Sequence, residues 1–317
     1  MWYRKHLVIL LVVVALAVLS AGCPGPARKP GVPGGPGGLR QEPTISLFIN
    51  ETGEKKNIKI EEYLEGVVAA EMDPSWEINA LAAQAILART FTMKKIQEGG
   101  VRERGVDAST DVKEFQAYAP EKINDRVRQA VRMTRGEVVT YKGNYINGWF
   151  HADGGGKTAA SANEGLAFKK EPTPYIKSVK DPGFNITVPE NKSWTARFPA
   201  EQVRAAVKQS AGQDPGSITE ARVVARGPSG RATTVRVGSV TLSAPALRLA
   251  LGNDQMRSTL LSKFAVEGGA LVVSGRGYGH GVGMSQWGAR AMAQQGKKPE
   301  DIVNFFFRGV IIEKRWQ

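Results

Sequence analysis

The 317-residue chain has a single cysteine, Cys23, and only three histidines, His6, His151 and His280. One cysteine excludes an intramolecular disulfide and a cysteine-based zinc cluster. Three scattered histidines leave metal binding little to work with, so neither a metal nor another cofactor is expected. Acidic residues are also in deficit: 30 Asp and Glu stand against 43 Lys and Arg, a formal net charge of +13. Such an excess favours an anionic partner: nucleic acid, a lipid surface or an acidic wall polymer. Aromatics do not interleave with basic residues in any one run and no nucleic-acid motif is present, so nucleic acid is not expected as a partner. Two glycine-rich runs also lack what nucleotide binding needs. The GGGKT segment ending at Thr158 has His151 where a phosphate-binding loop needs its first glycine, and no trio between Gly275 and Gly283 has dinucleotide-fingerprint spacing.

Hydrophobic residues at 42% and charged ones at 23% are ordinary globular values, and the length accommodates an ample core. Residues 1–23 read as an export signal with a lipobox-like end: Arg4 and Lys5, an apolar run from Leu7 to Leu19, then Ser20-Ala21-Gly22-Cys23. Lipidation at Cys23, ordinary cleavage and an uncleaved membrane anchor all place the body outside the cytoplasm, and the lipid or the anchor holds it at the outer face of the cytoplasmic membrane. Residues 24–43 form a Pro/Gly-rich linker, too poor in apolar side chains to pack. The body, 44–317, is expected to be α+β, with helices and mostly antiparallel strands in one large body or in two lobes around a cleft.

Within the body one carboxylate stands out of pattern. Leu64, Val67, Val68, Glu71 and Met72 recur at the spacing of one helical stripe, and Glu71 falls near its centre, while Glu62 and Glu65 point away. A carboxyl in an apolar setting loses hydration mainly in its charged form, so it holds its proton near neutral pH and is a candidate general acid. The alternative has Glu71 at a frayed last turn before Pro74, reaching water or pairing with an arginine such as Arg89.

Asp73-Pro74 reads as the start of an alanine-rich helix through Lys95. Strands are expected at Thr44–Asn50 and Lys56–Ile60, and a loop carrying Gln116 and Tyr118 follows the alanine helix. A third helix spans Ile123–Thr134. A hairpin turning at Gly143-Asn144 delivers His151 to the glycine loop. Further on, a helix is expected at Pro199–Ala211, strands at Ile218–Arg226 and Ala232–Leu242, and helical pieces at Pro245–Leu251 and Asp254–Leu261. Alternate glycines from Gly275 to Gly283, read with strand periodicity, leave one bare face and set Arg276, Tyr278 and His280 on the other. Helices up to Gly296 and over Pro299–Phe307, then a strand at Val310–Glu313, complete the body.

Several of these segments resemble the stage II sporulation protein D and amidase-enhancer family: GVVAAEM with WEINALAAQAILART, FHADGGGKT with YIKSVKDP, LRLALG, and GRGYGHGVGMSQWGARAMAQQG with FFFRGVII. They run in family order from about Glu61 to Ile312. The resemblance implies a peptidoglycan-processing domain and, for the sporulation branch, a lytic transglycosylase acting on glycan strands stripped of stem peptides. Its catalytic acid is the glutamate matching Glu71. Asp73-Pro74 and Asn79 depart from the family pattern without touching that acid. Some members bind zinc through cysteines near the FHxxxGG segment, and this chain has none there. Candidate substrate contacts are His280, Tyr278 and Gln286, with Gln116, Tyr118, His151 and Arg89 as further choices. The rival reading is a non-catalytic wall-binding module that stimulates a peptidoglycan amidase. A zinc hydrolase using His151 and His280 is a third.

Overall fold

The computed structural model describes residues 41–317, which lie within one compact unit. The export segment with Cys23, and the linker as far as residue 40, lie outside the described residues. The end of the expected linker already belongs to the body. The Pro43 carbonyl accepts the Ile60 N–H at 3.0 Å, and Glu42 accepts the Glu61 N–H at 3.0 Å while pairing with Arg135.

In chain order, β1 (Thr44–Phe48) and β2 (Lys55–Lys59) form a hairpin that runs directly into α1 (Ile60–Glu71), and α2 (Ile78–Gln97) follows a turn. Then come β3 (Ala108–Ser109), α3 (Asp125–Met133), β4 (Glu137–Tyr141), β5 (Asn144–Tyr145), β6 (Phe150–His151), α4 (Ala162–Leu166) and α5 (Pro189–Lys192). The next stretch holds β7 (Trp194–Pro199), α6 (Ala200–Ala211), β8 (Ala221–Arg226), β9 (Ala232–Val237), β10 (Val240–Ser243), α7 (Ala244–Leu251), β11 (Leu261–Glu267) and β12 (Ala270–Gly275). Last are β13 (Met284–Ser285), α8 (Gln286–Gln294), α9 (Pro299–Phe306) and β14 (Ile311–Lys314). The strand pairings are antiparallel except β1 with β3 and β6 with β13, so the fold is α+β.

Two hydrophobic cores form. The first gathers around α2, whose alanines 80, 82, 83, 85 and 88 are fully buried and small enough for α1, α3, α8, α9 and β4 to pack closely against it. Each leucine or valine buried there contributes about 1.5–3 kcal/mol. The second core is built from residues between Trp194 and Val273, where the sheets β10-β9-β8 and β11-β12-β7 meet α6 and α7.

Arg89 belongs to the first core. Expected to contact substrate, it is instead 0% exposed, with Nη2 and Nε donating to Glu61 at 2.6 and 3.0 Å and Nη1 to the Glu137 carbonyl at 3.0 Å. Glu61 also accepts the Gly136 N–H and the Trp316 indole N–H, at 3.1 and 2.8 Å, tying the C-terminus to α1. A buried guanidinium needs such a partner.

Other departures have local causes. The Asp73 carboxylate accepts both the N–H and the hydroxyl of Ser75, at 2.9 and 2.7 Å, and so closes a turn, and α2 starts only at Ile78. The hairpin after β4 turns at Lys142-Gly143, both at positive φ (51° and 79°), one residue earlier than expected. The expected strand Ala232–Leu242 is two strands, broken where Gly238 turns at φ 54°. Residues 254–260 are not helical, and β11 and β7 flank β12 as partners that appear only when the chain folds back.

Candidate active site

Glu71 is the last residue of α1, one helical turn past the buried Val67 and Val68. Its Oε1 accepts the Ala117 N–H at 3.1 Å, and no ion pair reaches its carboxylate among the described residues. Burial pushes its pKa up to about 7, against the opposing pull of the Ala117 N–H. The carboxyl is therefore shared between its acid and base forms near neutral pH.

The loop that supplies this N–H is held on both sides. Gln116, 4% exposed, donates its amide to the Thr92 hydroxyl at 2.9 Å, and the Ala119 N–H reaches the Gly66 carbonyl at 3.0 Å. Tyr118 lies in the notch left by Gly66, where a Cβ would run into its ring, and stacks on Tyr63 with ring centroids 5.6 Å apart. Burial, aided by the nearby Glu71 charge, raises the Tyr63 hydroxyl's pKa, so it stays protonated. On the other side Gln286, the first residue of α8, donates its amide to the Glu71 carbonyl at 3.0 Å. Gln116 and Gln286, expected as substrate contacts, thus have amides engaged in bracing the acid. The Trp76 and Trp287 rings pack nearby, centroids 4.8 Å apart, with Arg290 over both.

β6 and β13 pair in parallel, setting His151 opposite Ser285, the residue before Gln286. This brings the two body histidines together, with ring centroids 5.6 Å apart. The Val282 backbone clamps both: its carbonyl lies 3.2 Å from His151 Nδ1, and its N–H donates to His280 Nδ1 at 3.0 Å. His280 has its remaining nitrogen directed to the Phe150 carbonyl, whereas the buried Nε2 of His151 has no hydrogen-bond partner. Burial, then Arg248 and Arg231, push His280 down to about 3, and burial, then His280 and Arg231, hold His151 well below its ordinary value. Both rings are neutral. Among the described residues no three His, Cys, Asp or Glu side chains converge as a metal site.

The glycines before β13 do not form the bare-faced extended segment expected. Gly277, Gly279, Gly281 and Gly283 have φ of 79°, 106°, 80° and 74°, a left-handed series that folds the chain against its neighbours. A Cβ on Gly279 would lie 2.7 Å from that of His151, and one on Gly281 would strike the Arg231 guanidinium. Tyr278 has its hydroxyl on Asp254 at 2.5 Å and its ring under Arg257.

Some supporting residues escaped the sequence reading. Asp181 accepts the N–H groups of Gly154 and Gly183, at 2.8 and 2.9 Å, and the fully buried Arg231 donates to the carbonyls of Lys157 and Gly154, at 2.7 and 2.8 Å. They fix the loop after His151. The YIKSVKDP segment carried a signal for Asp181, but nothing local marked Arg231, 80 residues from His151 in sequence.

This α+β body, with a proton-sharing carboxyl at a helix end and a glycine loop beside it, corresponds to known sequence families in both parts. A family model described as stage II sporulation protein matches residues 49–141, which include Glu71 and the Ala117 loop. A domain of unknown function matches 179–283, spanning the second core and most of the glycine loop. Stage II sporulation protein D of Bacillus amyloliquefaciens is 31% identical over 290 residues, covering 87% of this chain and 80% of that protein. An uncharacterised protein of Brachyspira hyodysenteriae is 34% identical over 280 residues, covering 84% and 68%. An amidase enhancer of Bacillus subtilis is 28% identical over 295 residues, covering 78% of this chain but 40% of that protein. The chain belongs to the stage II sporulation protein D family.

Proposed function

We propose that this protein is a peptidoglycan lytic transglycosylase, acting on glycan strands stripped of stem peptides during sporulation or wall remodelling. The observation that carries the reading is Glu71: a half-buried carboxyl poised at about 7, held by one N–H and without an ion pair. Protonated Glu71 gives its proton to the glycosidic oxygen as the C1–O bond breaks. The resulting carboxylate takes the proton from the muramyl C6 hydroxyl, whose oxygen closes on C1 as a 1,6-anhydro ring. One group serves as acid and then base, and water is not consumed. Hydrolysis would need a second carboxylate. Asp73 does not supply it, because it is exposed and held below the usual range by the Ser75 N–H and hydroxyl. The proposal includes export, with the body held at the outer face of the cytoplasmic membrane through the segment ending at Cys23.

The test is incubation of the full chain with peptide-stripped glycan strands. Mass spectrometry should find 1,6-anhydromuramyl ends, and the folded Glu71→Gln variant should make none. A second reading, a non-catalytic module that stimulates a wall amidase, is favoured by the similarity to the amidase enhancer across 78% of this chain. It predicts no anhydro products from either form, and faster amidase turnover with both.

A further inference from the structure

Arg248, on α7, is 6% exposed, and its guanidinium has one protein acceptor among the described residues: Nε donates to the Arg257 carbonyl at 3.1 Å. The same carbonyl accepts the Gly279 N–H at 2.8 Å. The guanidinium is thereby set beside the glycine loop, one residue before His280. Its terminal nitrogens meet no carboxylate. The acid in the neighbourhood, Asp254, is exposed and takes the Tyr278 hydroxyl, and Arg248 feels its charge without forming an ion pair.

On the other side of His280, Arg231 presses its guanidinium against Gly281, with its terminal N–H groups spent on the carbonyls of Lys157 and Gly154 and on the Ser229 hydroxyl. Two buried cations flank a neutral imidazole, and of these two Arg248 alone keeps both terminal nitrogens free for a ligand. Burial brings its pKa down to about 10, which leaves it charged at neutral pH. Its terminal nitrogens are not among the sealed, unpartnered polar atoms of the described residues, so they face solvent on an otherwise buried side chain and are open to an anion.

We propose that Arg248 forms a carboxylate-binding subsite beside His280, and that it takes the free lactyl carboxylate of a muramyl residue. The planar guanidinium fork matches a carboxylate in two parallel hydrogen bonds. A run of contacts links the subsite to the end of the Glu71 helix: the His280 ring lies 5.6 Å from that of His151, His151 pairs with Ser285, and Gln286 touches the Glu71 carbonyl. A stem peptide converts the lactyl carboxylate to a neutral amide, so Arg248 selects stripped strands. This inference rests on the reading of the chain as one that acts on peptidoglycan, and it does not require Glu71 to cut.

Calorimetry on the full chain tests it, with three probes: N-acetylmuramic acid, its lactyl amide and inorganic phosphate. The acid should bind on the order of tenfold to a hundredfold more tightly than the amide. Phosphate at equal concentration should fail to displace it. Arg248→Gln should remove the preference and Arg248→Lys retain part of it. Equal binding of acid and amide by the unmodified chain would overturn the proposal, and this comparison needs no variant to fold. Displacement by phosphate, or a preference intact in Arg248→Gln, would overturn it as well. Because binding is read without turnover, a chain that prefers the acid yet never cuts strands keeps the subsite and loses the transglycosylase reading.

Discussion

Replacing Glu71 with glutamine should change the pH dependence of folding stability by an amount set by the burial of this one carboxyl. The folded-state pKa of about 7 stands above the ordinary 4.5. Between these values the native state keeps a proton that the unfolded chain has released, so stability falls as pH rises through the window and is level on either side. The full span corresponds to about 3 kcal/mol, or about 2–3 kcal/mol once the carboxyl's remaining solvent contact is allowed for. Glutamine keeps the shape and an acceptor for the Ala117 N–H but has no proton to lose. Urea unfolding of both forms at pH 4.5, 6 and 8 reads the effect, because every other titrating group is shared. The stability of Glu71→Gln relative to the native sequence should climb by about 2–3 kcal/mol from pH 4.5 to 8. A gap that stays constant over this range would refute the poised carboxyl and, with it, the general-acid argument.

Other perturbations follow from the same geometry. Gly66→Ala would push the Tyr118 ring from its notch, costing about 1–3 kcal/mol by denaturant unfolding. Loosening the Ala117 N–H should also raise the Glu71 pKa, moving the activity profile toward higher pH. Glu61→Ala strands Arg89 in the core and should cost about 3–5 kcal/mol, measured the same way. The His280 ring, held to about 3, should show no NMR titration of its C2 proton between pH 5 and 8. Its contribution to stability is present above pH 6.5 and lost as pH falls toward 3, the opposite sense to Glu71. Prolonged dialysis against a chelator should leave strand cleavage unchanged.

The parts of the site readable in the sequence were those written in local periodicity. Glu71 sits on a stripe with Val67 and Val68 that one helix suffices to define, and the alanine run announced a buried helix. What was missed depends on contacts far along the chain. The Ala117 N–H has no side-chain signature, and its loop is placed by Tyr118 entering a notch at Gly66, 52 residues earlier. Arg89 looked available because a single helix does not show that the Glu61 carboxylate and the Glu137 carbonyl converge on its guanidinium. The alternating glycines read as a strand because period two is a strand's period. Their actual requirement is positive φ together with close approach to Arg231, His151 and the Trp149 carbonyl.

Cleavage of stripped glycan strands in water enriched in oxygen-18 tests the central claim most directly. If Glu71 acts alone as acid and then base, the new ends are 1,6-anhydromuramyl, carry no heavy oxygen, and disappear with Glu71→Gln. Reducing ends that carry the label, or strands left uncut by the native sequence, would contradict it.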